Sequence, residues 1–176
     1  MTQNCEAFLG RFIRDIPDFP KPGIIFKDIT PLLASPPALA LAVELLANPF
    51  RGKGIELVVG AESRGFIFGI AVAQALSAGF VPIRKPGKLP AKTAKMTYAL
   101  EYGTDSLEIH VDALKPGQRI LMVDDLLATG GTMRACCDLV NGLGGDIRGI
   151  TFLIELEFLH GRNQFKEFEV NSILQF

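Results

Sequence analysis

The sequence predicts an α/β protein: a central, mostly parallel sheet flanked by helices. Three observations carry this. Strand-like apolar runs begin near Ile55, Phe80, Ile120 and Ile147, and helical patterns fill the gaps between them. Ile120-Leu-Met-Val123 is apolar without alternation, as a strand covered on both faces should be. Thr129-Gly-Gly-Thr132 then suits a tight loop that opens a helix. The chain of 176 residues suits one domain, 1–176, with an N-terminal arm over 1–33, an α/β core over 34–160 and a C-terminal strand over 161–176. The termini and a flexible hairpin loop, at about 92–111, are expected to form a small hood beside the core.

Composition narrows the class. With 48% hydrophobic and 21% charged residues the chain is globular and not disordered. A net charge of -1 gives no pull toward nucleic acid or an anionic membrane. Cys5, Cys136 and Cys137 are odd in number and show no framework spacing, so a reducing, cytoplasmic setting is expected. The first residues lack a basic region followed by an apolar run, and no secretion signal is read there. Gly65 to Ile83 is uncharged and nearly long enough to span a bilayer. Gln74, Ser77, Pro82 and several Gly and Ala dilute it, so it reads as a buried helix, a stop at Gly79 and a short strand.

Along the chain, Phe8, Leu9, Phe12 and Ile13 are spaced for a short amphipathic helix that Pro and Gly between Ile16 and Gly23 bring to an end. Ile24 to Thr30 reads as a strand or an extended loop. Pro36 to Leu46 is rich in Ala and Leu, a good helix. The strand Ile55 to Gly60 leads into Ala61-Glu-Ser-Arg-Gly65, which on spacing alone is a helix cap by Ser63 with Arg64 solvated. The alternative is a guanidinium gripping phosphate in bidentate fashion. Arg84 to Lys95 holds a run of cations among Pro and Gly, ordinarily a solvated loop. Thr97 to Gly103 alternates like a strand, and Asp105 to Lys115 returns as its hairpin partner, with His110 at no metal-ligand spacing. Met133, Cys136, Cys137, Val140 and Leu143 recur at helical spacing, and Gly144-Gly145 closes that helix. Ile147 to Ile154 is another buried strand. His160 and Gly161-Arg162 read as surface turn residues, and the chain closes on a strand-like Ser-Ile-Leu-Gln-Phe176.

The chemistry concentrates after Val123. Asp124 and Asp125 fall where the strand should end, the position at which open α/β sheets bind ligands. Two adjacent carboxylates repel and gain nothing from burial unless they meet hydroxyls, a metal or cations. Thr129 to Thr132 supplies amides and hydroxyls at a helix N-terminus, which favours an anion such as phosphate. No Walker loop and no dinucleotide fingerprint is present. The pattern suits a phosphorylated sugar, with phosphate on the Thr-Gly-Gly-Thr turn and hydroxyls on the acid pair.

Val123-Asp-Asp-Leu-Leu-Ala-Thr-Gly-Gly-Thr132 resembles the phosphoribosyl-pyrophosphate motif of the type I purine phosphoribosyltransferase family, in the form of its adenine-using members. Further matches run from Pro22 to the terminal Gln-Phe. The resemblance implies the type I phosphoribosyltransferase fold and transfer of the 5-phosphoribosyl group from phosphoribosyl pyrophosphate to adenine, giving AMP and pyrophosphate. Asp124 and Asp125 would hold the ribose, while Ala128, Thr129, Gly130, Gly131 and Thr132 take the 5-phosphate. Ala61, Glu62, Ser63 and Arg64, in a loop that in the family often holds a non-proline cis peptide, would meet pyrophosphate with Lys88. The backbone of Ile25 and Lys27, the ring of Phe26 and Leu156 would hold adenine. Glu101, with Arg64, is implied as catalytic, Glu101 meeting the purine N7 while Tyr102 covers the site. Mg²⁺ is the implied cofactor, held by substrate and water and not by direct protein ligands, and a homodimer is the implied assembly.

Two rivals are set beside this. Hypoxanthine- and guanine-using members place an Asp where Ala128 stands, and its absence here favours adenine. A regulator that senses phosphoribosyl pyrophosphate and binds nucleic acid would need a basic face or an added domain, and neither is evident in the sequence.

Overall fold

The computed structural model describes residues 2–99 and 104–176. Helix α1 (Thr2–Gly10) leads into a two-stranded antiparallel arm, β1 (Arg14–Pro17) and β2 (Ile25–Asp28). Short α2 (Thr30–Leu33) and α3 (Pro36–Ala47) precede β3 (Leu57–Ala61), α4 (Arg64–Leu76) and β4 (Gly79–Ile83). An antiparallel hairpin, β5 (Thr93–Ala99) and β6 (Thr104–His110), comes before β7 (Arg119–Leu127), α5 (Gly131–Gly142), β8 (Asp146–Glu155) and β9 (Val170–Gln175). Five strands form one parallel sheet in the order β4-β3-β7-β8-β9.

The sheet is buried on both faces, which explains its uninterrupted apolar strands. In β7 the two-residue alternation sends Leu121 and Val123 into one core layer with Leu46, Phe50 and Phe68 from the α3–α4 side. Ile120 and Met122 point the other way, into a layer with Cys136 and Val140 of α5 and Ile109 of the hairpin. The same alternation carries Asp125 toward α4, whose first residue is Arg64.

The expected sheet is present, with several boundaries displaced. Strand β7 does not stop at the acid pair; its ladder with β8 continues through Leu126 and Leu127. Helix α4 ends not at Gly79 but at Ser77, in the left-handed conformation at φ 55°. Strand β5 begins at Thr93, inside the stretch expected to be a solvated cationic loop, because Ala94 and Met96 pack on the α5 core layer. Ile16 and Pro17, read as the start of the stretch that ends the first helix, belong to β1 and pair with β2. The C-terminal segment is not part of a hood: β9 is an edge strand of the main sheet. No helix of the described residues is long and apolar enough to cross a membrane.

Gly149 in β8 shows how tightly the layers meet, since a Cβ there would overlap the ring of fully buried Phe50 and press on the Glu169 carbonyl at 3.2 Å. Gly149→Ala should therefore cost about 1–3 kcal/mol. Urea unfolding should show a lowered midpoint with unchanged slope, and an unchanged midpoint would contradict this packing.

Candidate active site

Two strand-to-helix junctions lie at the C-terminal edge of neighbouring parallel strands. One, 61–64, joins β3 to α4; the other, 128–131, joins β7 to α5. Side chains are kept out where the first junction packs on itself and on β7. A Cβ on Gly65 would stand 2.7 Å from Asp124 Oδ1, and one on Gly60 would stand 2.9 Å from the Gly65 carbonyl. Glu62 is tied to the loop after β4, its Oε2 accepting from Arg84 Nε at 3.0 Å and from the Lys85 amide at 2.9 Å. The Glu62–Ser63 peptide is cis, the form the family resemblance implied for this loop. Ser63 makes no side-chain cap, so the simple capping reading fails.

Asp125 is buried and Asp124 partly so; the Asp125 amide donates to Asp124 Oδ1 at 2.9 Å. Arg64 Nε lies 2.9 Å from Asp125 Oδ2, and its guanidinium sits 4.9 Å from the centre of the Phe26 ring. The N–H is not aimed along that line, and Oδ2 is a buried acceptor that receives no hydrogen bond among the described residues. Burial, and then the charge of Asp125, hold Asp124 well above the usual carboxylate range. Burial also raises Asp125, against the lowering pull of Arg64.

Two cavities open here. One, of about 460 Å³, is lined by Glu62, Ser63, Arg64, the acid pair and the turn 128–132. The other, of about 650 Å³, is mostly apolar and lies against Ile25, Phe26, Lys27, Leu156 and Phe158. Phe26, Arg64, Leu126, Ala128 and Thr129 line both, so the two chambers meet at a common wall. Lys27 holds its place through Asp15, 2.8 Å from its ammonium, and stacks 3.9 Å over the Phe176 ring.

The chain matches the family model described as "Phosphoribosyl transferase domain" over residues 29–164. It is 57% identical over 173 residues to an adenine phosphoribosyltransferase of Acidobacterium capsulatum, covering 98% of this chain and 95% of that one. The crystal structure of adenine phosphoribosyltransferase from Rhodothermus marinus superposes with a TM-score of 0.95 at 51% identity, covering 99% of both chains. That of the Saccharomyces cerevisiae enzyme, complexed with D-2,5-dideoxy-2,5-imino-altritol 1,6-bisphosphate and adenine, gives 0.92 at 38% identity, covering 98% of this chain and 99% of that one. The chain belongs to the adenine phosphoribosyltransferase family.

Most residues singled out by family resemblance converge on these two chambers. Ala61 and Lys88 do not. Ala61 is buried at the end of β3, and exposed Lys88 lies on the loop after β4, outside both linings. Glu101 and Tyr102 lie outside the described residues, on the connection between β5 and β6. The hairpin itself reaches the family motif, with the Tyr98 hydroxyl 3.3 Å from Thr132 Oγ1.

Sequence reasoning missed one group. Gly161 and Arg162 are not plain surface turn residues: Gly161 is buried, and Arg162 donates to buried Glu155 from Nε at 3.0 Å and from Nη2 at 2.5 Å. A glycine directly after a strand and its turn signals close backbone approach, and that signal was available at Gly161.

The raised acid pair sets a direction for stability. Carboxylates whose folded-state pKa lies above the unfolded value of 3.8 keep their protons longer in the folded chain, so stability falls as pH rises through the folded values. Asp124→Asn should raise the melting temperature at neutral pH, with the gain shrinking toward pH 3.8. A gain equal at all pH values, or a loss at neutral pH, would contradict the assignment.

Proposed function

We propose that this chain transfers the 5-phosphoribosyl group of phosphoribosyl pyrophosphate to adenine, releasing AMP and pyrophosphate. The junction of a polar chamber with an apolar one carries this reading, since the product joins an anionic sugar to a flat base. The 5-phosphate sits on the amides and hydroxyls of 128–132, where the dipole of α5 favours an anion. The sugar hydroxyls donate to Asp124 and Asp125, and the unsatisfied Oδ2 of Asp125 supports this. Adenine lies between Phe26 and Leu156, with the backbone of Ile25 and Lys27 at its edge. Among the described residues strand β2 is paired only by β1, which leaves its other edge available for such contacts.

As the bond from C1 to the leaving oxygen breaks, positive charge gathers on the sugar ring and the acid pair answers it. Arg64, with Glu62 and Ser63, faces the departing pyrophosphate. In this reading Mg²⁺ takes its ligands from substrate oxygens and water. Mg²⁺, when bound, supplies charge neutralisation to the leaving group. Glu101 holds the proton at the base N7, and Tyr102 covers the site so that water does not intercept the sugar.

A homodimer is part of this reading. Ile67 and Ile70, 42% and 50% exposed, stand three residues apart on α4 as an apolar stripe that a second copy would cover. Lys88, outside the lining of its own cavity, then serves the pyrophosphate site of the partner. A cytoplasmic setting agrees with three free cysteines.

Purified protein given phosphoribosyl pyrophosphate, Mg²⁺ and each of adenine, hypoxanthine, guanine and orotate should consume adenine alone; consumption of another base in its place would overturn the reading. Glu101→Gln should slow turnover by about a hundredfold or more while weakening sugar-phosphate binding little. Equal losses in both would remove Glu101 from its role.

A further inference from the structure

The turn 128–131 is braced from behind by the short 3-10 segment Gly161–Phe165. Three contacts make the brace. The side-chain amide of Gln164 donates to the Thr129 carbonyl at 2.6 Å. Gly161 packs so closely on the Ala128 carbonyl that a Cβ there would overlap it. In return, a Cβ on Gly130 would stand 2.9 Å from the Gly161 carbonyl and 3.1 Å from the Phe165 ring.

The brace is itself fixed. Phe165 is buried against Phe152, with ring centres 6.5 Å apart. Arg162 is held by Glu155, by Ser172 Oγ at 2.5 Å and by the Val170 carbonyl at 2.8 Å, which ties the segment to β8 and β9.

A trans peptide points its C=O and the following N–H in opposite directions. Holding the Ala128 and Thr129 carbonyls against the brace therefore aims the Thr129 and Gly130 amides the other way, into the polar chamber. We infer that Gly161 and Gln164 are positioning residues for the phosphate site: they touch no substrate, and they set the direction of two amides that bind it. This rests on the proposed function for the identity of the ligand. The sequence does not mark Gln164, because a neutral amide that acts on a main-chain carbonyl leaves no pattern of its own.

Gln164 is exposed, so replacing it leaves the core intact. Gln164→Met keeps its length and removes the donor; Gln164→Glu sets a carboxylate against the Thr129 carbonyl. Calorimetric titration with ribose 5-phosphate should show affinity reduced about five- to tenfold in the first variant and more in the second, with the unfolding midpoint near wild type. In steady-state assays KM for phosphoribosyl pyrophosphate should rise by the same factor, while kcat and KM for adenine stay within about twofold of wild type. Gly161→Ala should show the same split more strongly. Unchanged affinity for ribose 5-phosphate in both Gln164 variants, or equal rises in KM for both substrates, would overturn the inference and leave the proposed function standing. If the wild-type protein binds ribose 5-phosphate with the expected dependence on Gln164 but makes no AMP, the brace stands and the proposed function falls. If the wild type does not bind ribose 5-phosphate at all, both fall.

Discussion

Asp124 and Asp125 sit side by side in β7 with one guanidinium opposite, and folding alone would select against that arrangement. Burial penalises each charge, the pair repels itself, and Arg64 lies 2.9 Å from Asp125 Oδ2 without a well-aimed hydrogen bond. A loop would relax by turning the carboxylates to water. Strand β7 does not permit this, because its ladder to β8 runs on through Leu127 and fixes the backbone on either side of the acids. The cost is thus built into the sheet, and a ligand that donates hydroxyls to the pair recovers part of it on binding.

The same economy of backbone governs the surroundings. Gly65 lets α4 approach Asp124, and Gly161 lets a distant turn press on the Ala128 carbonyl. In both cases the absent side chain allows one rigid element to orient another. The proposed anion site consequently draws on two elements well separated in the chain: α5, with its dipole, and the segment after β8 whose Gln164 holds the Thr129 carbonyl.

Much of this was legible in the sequence. Apolar runs and helical spacing gave the parallel core, since burial on both faces leaves an unmistakable pattern in strands such as Ile120 to Val123. The acid pair and the Thr-Gly-Gly-Thr turn stood out because adjacent carboxylates beside a buried strand are hard to explain as structure, and the fold brings both to one cavity. Less legible were features set by tertiary contact. Arg162 read as a surface residue because its partners Glu155 and Ser172 are brought to it only by the β8–β9 pairing. Strand β5 was hidden by its cations, which flank residues that pack inward. Ser77 adopts a left-handed helix end that local preference would give to a neighbouring glycine.

In the proposed reaction the sugar diol completes the acid pair, Asp124 and Asp125. Calorimetry with AMP and with its 2′,3′-dideoxy analogue tests it most directly, carried out on the wild-type protein and on an Asp124→Asn, Asp125→Asn double variant. The account predicts that the wild type binds AMP about tenfold or more tighter than the analogue, and that the double variant loses most of this difference. Equal affinities for the two nucleotides in the wild-type protein would contradict it.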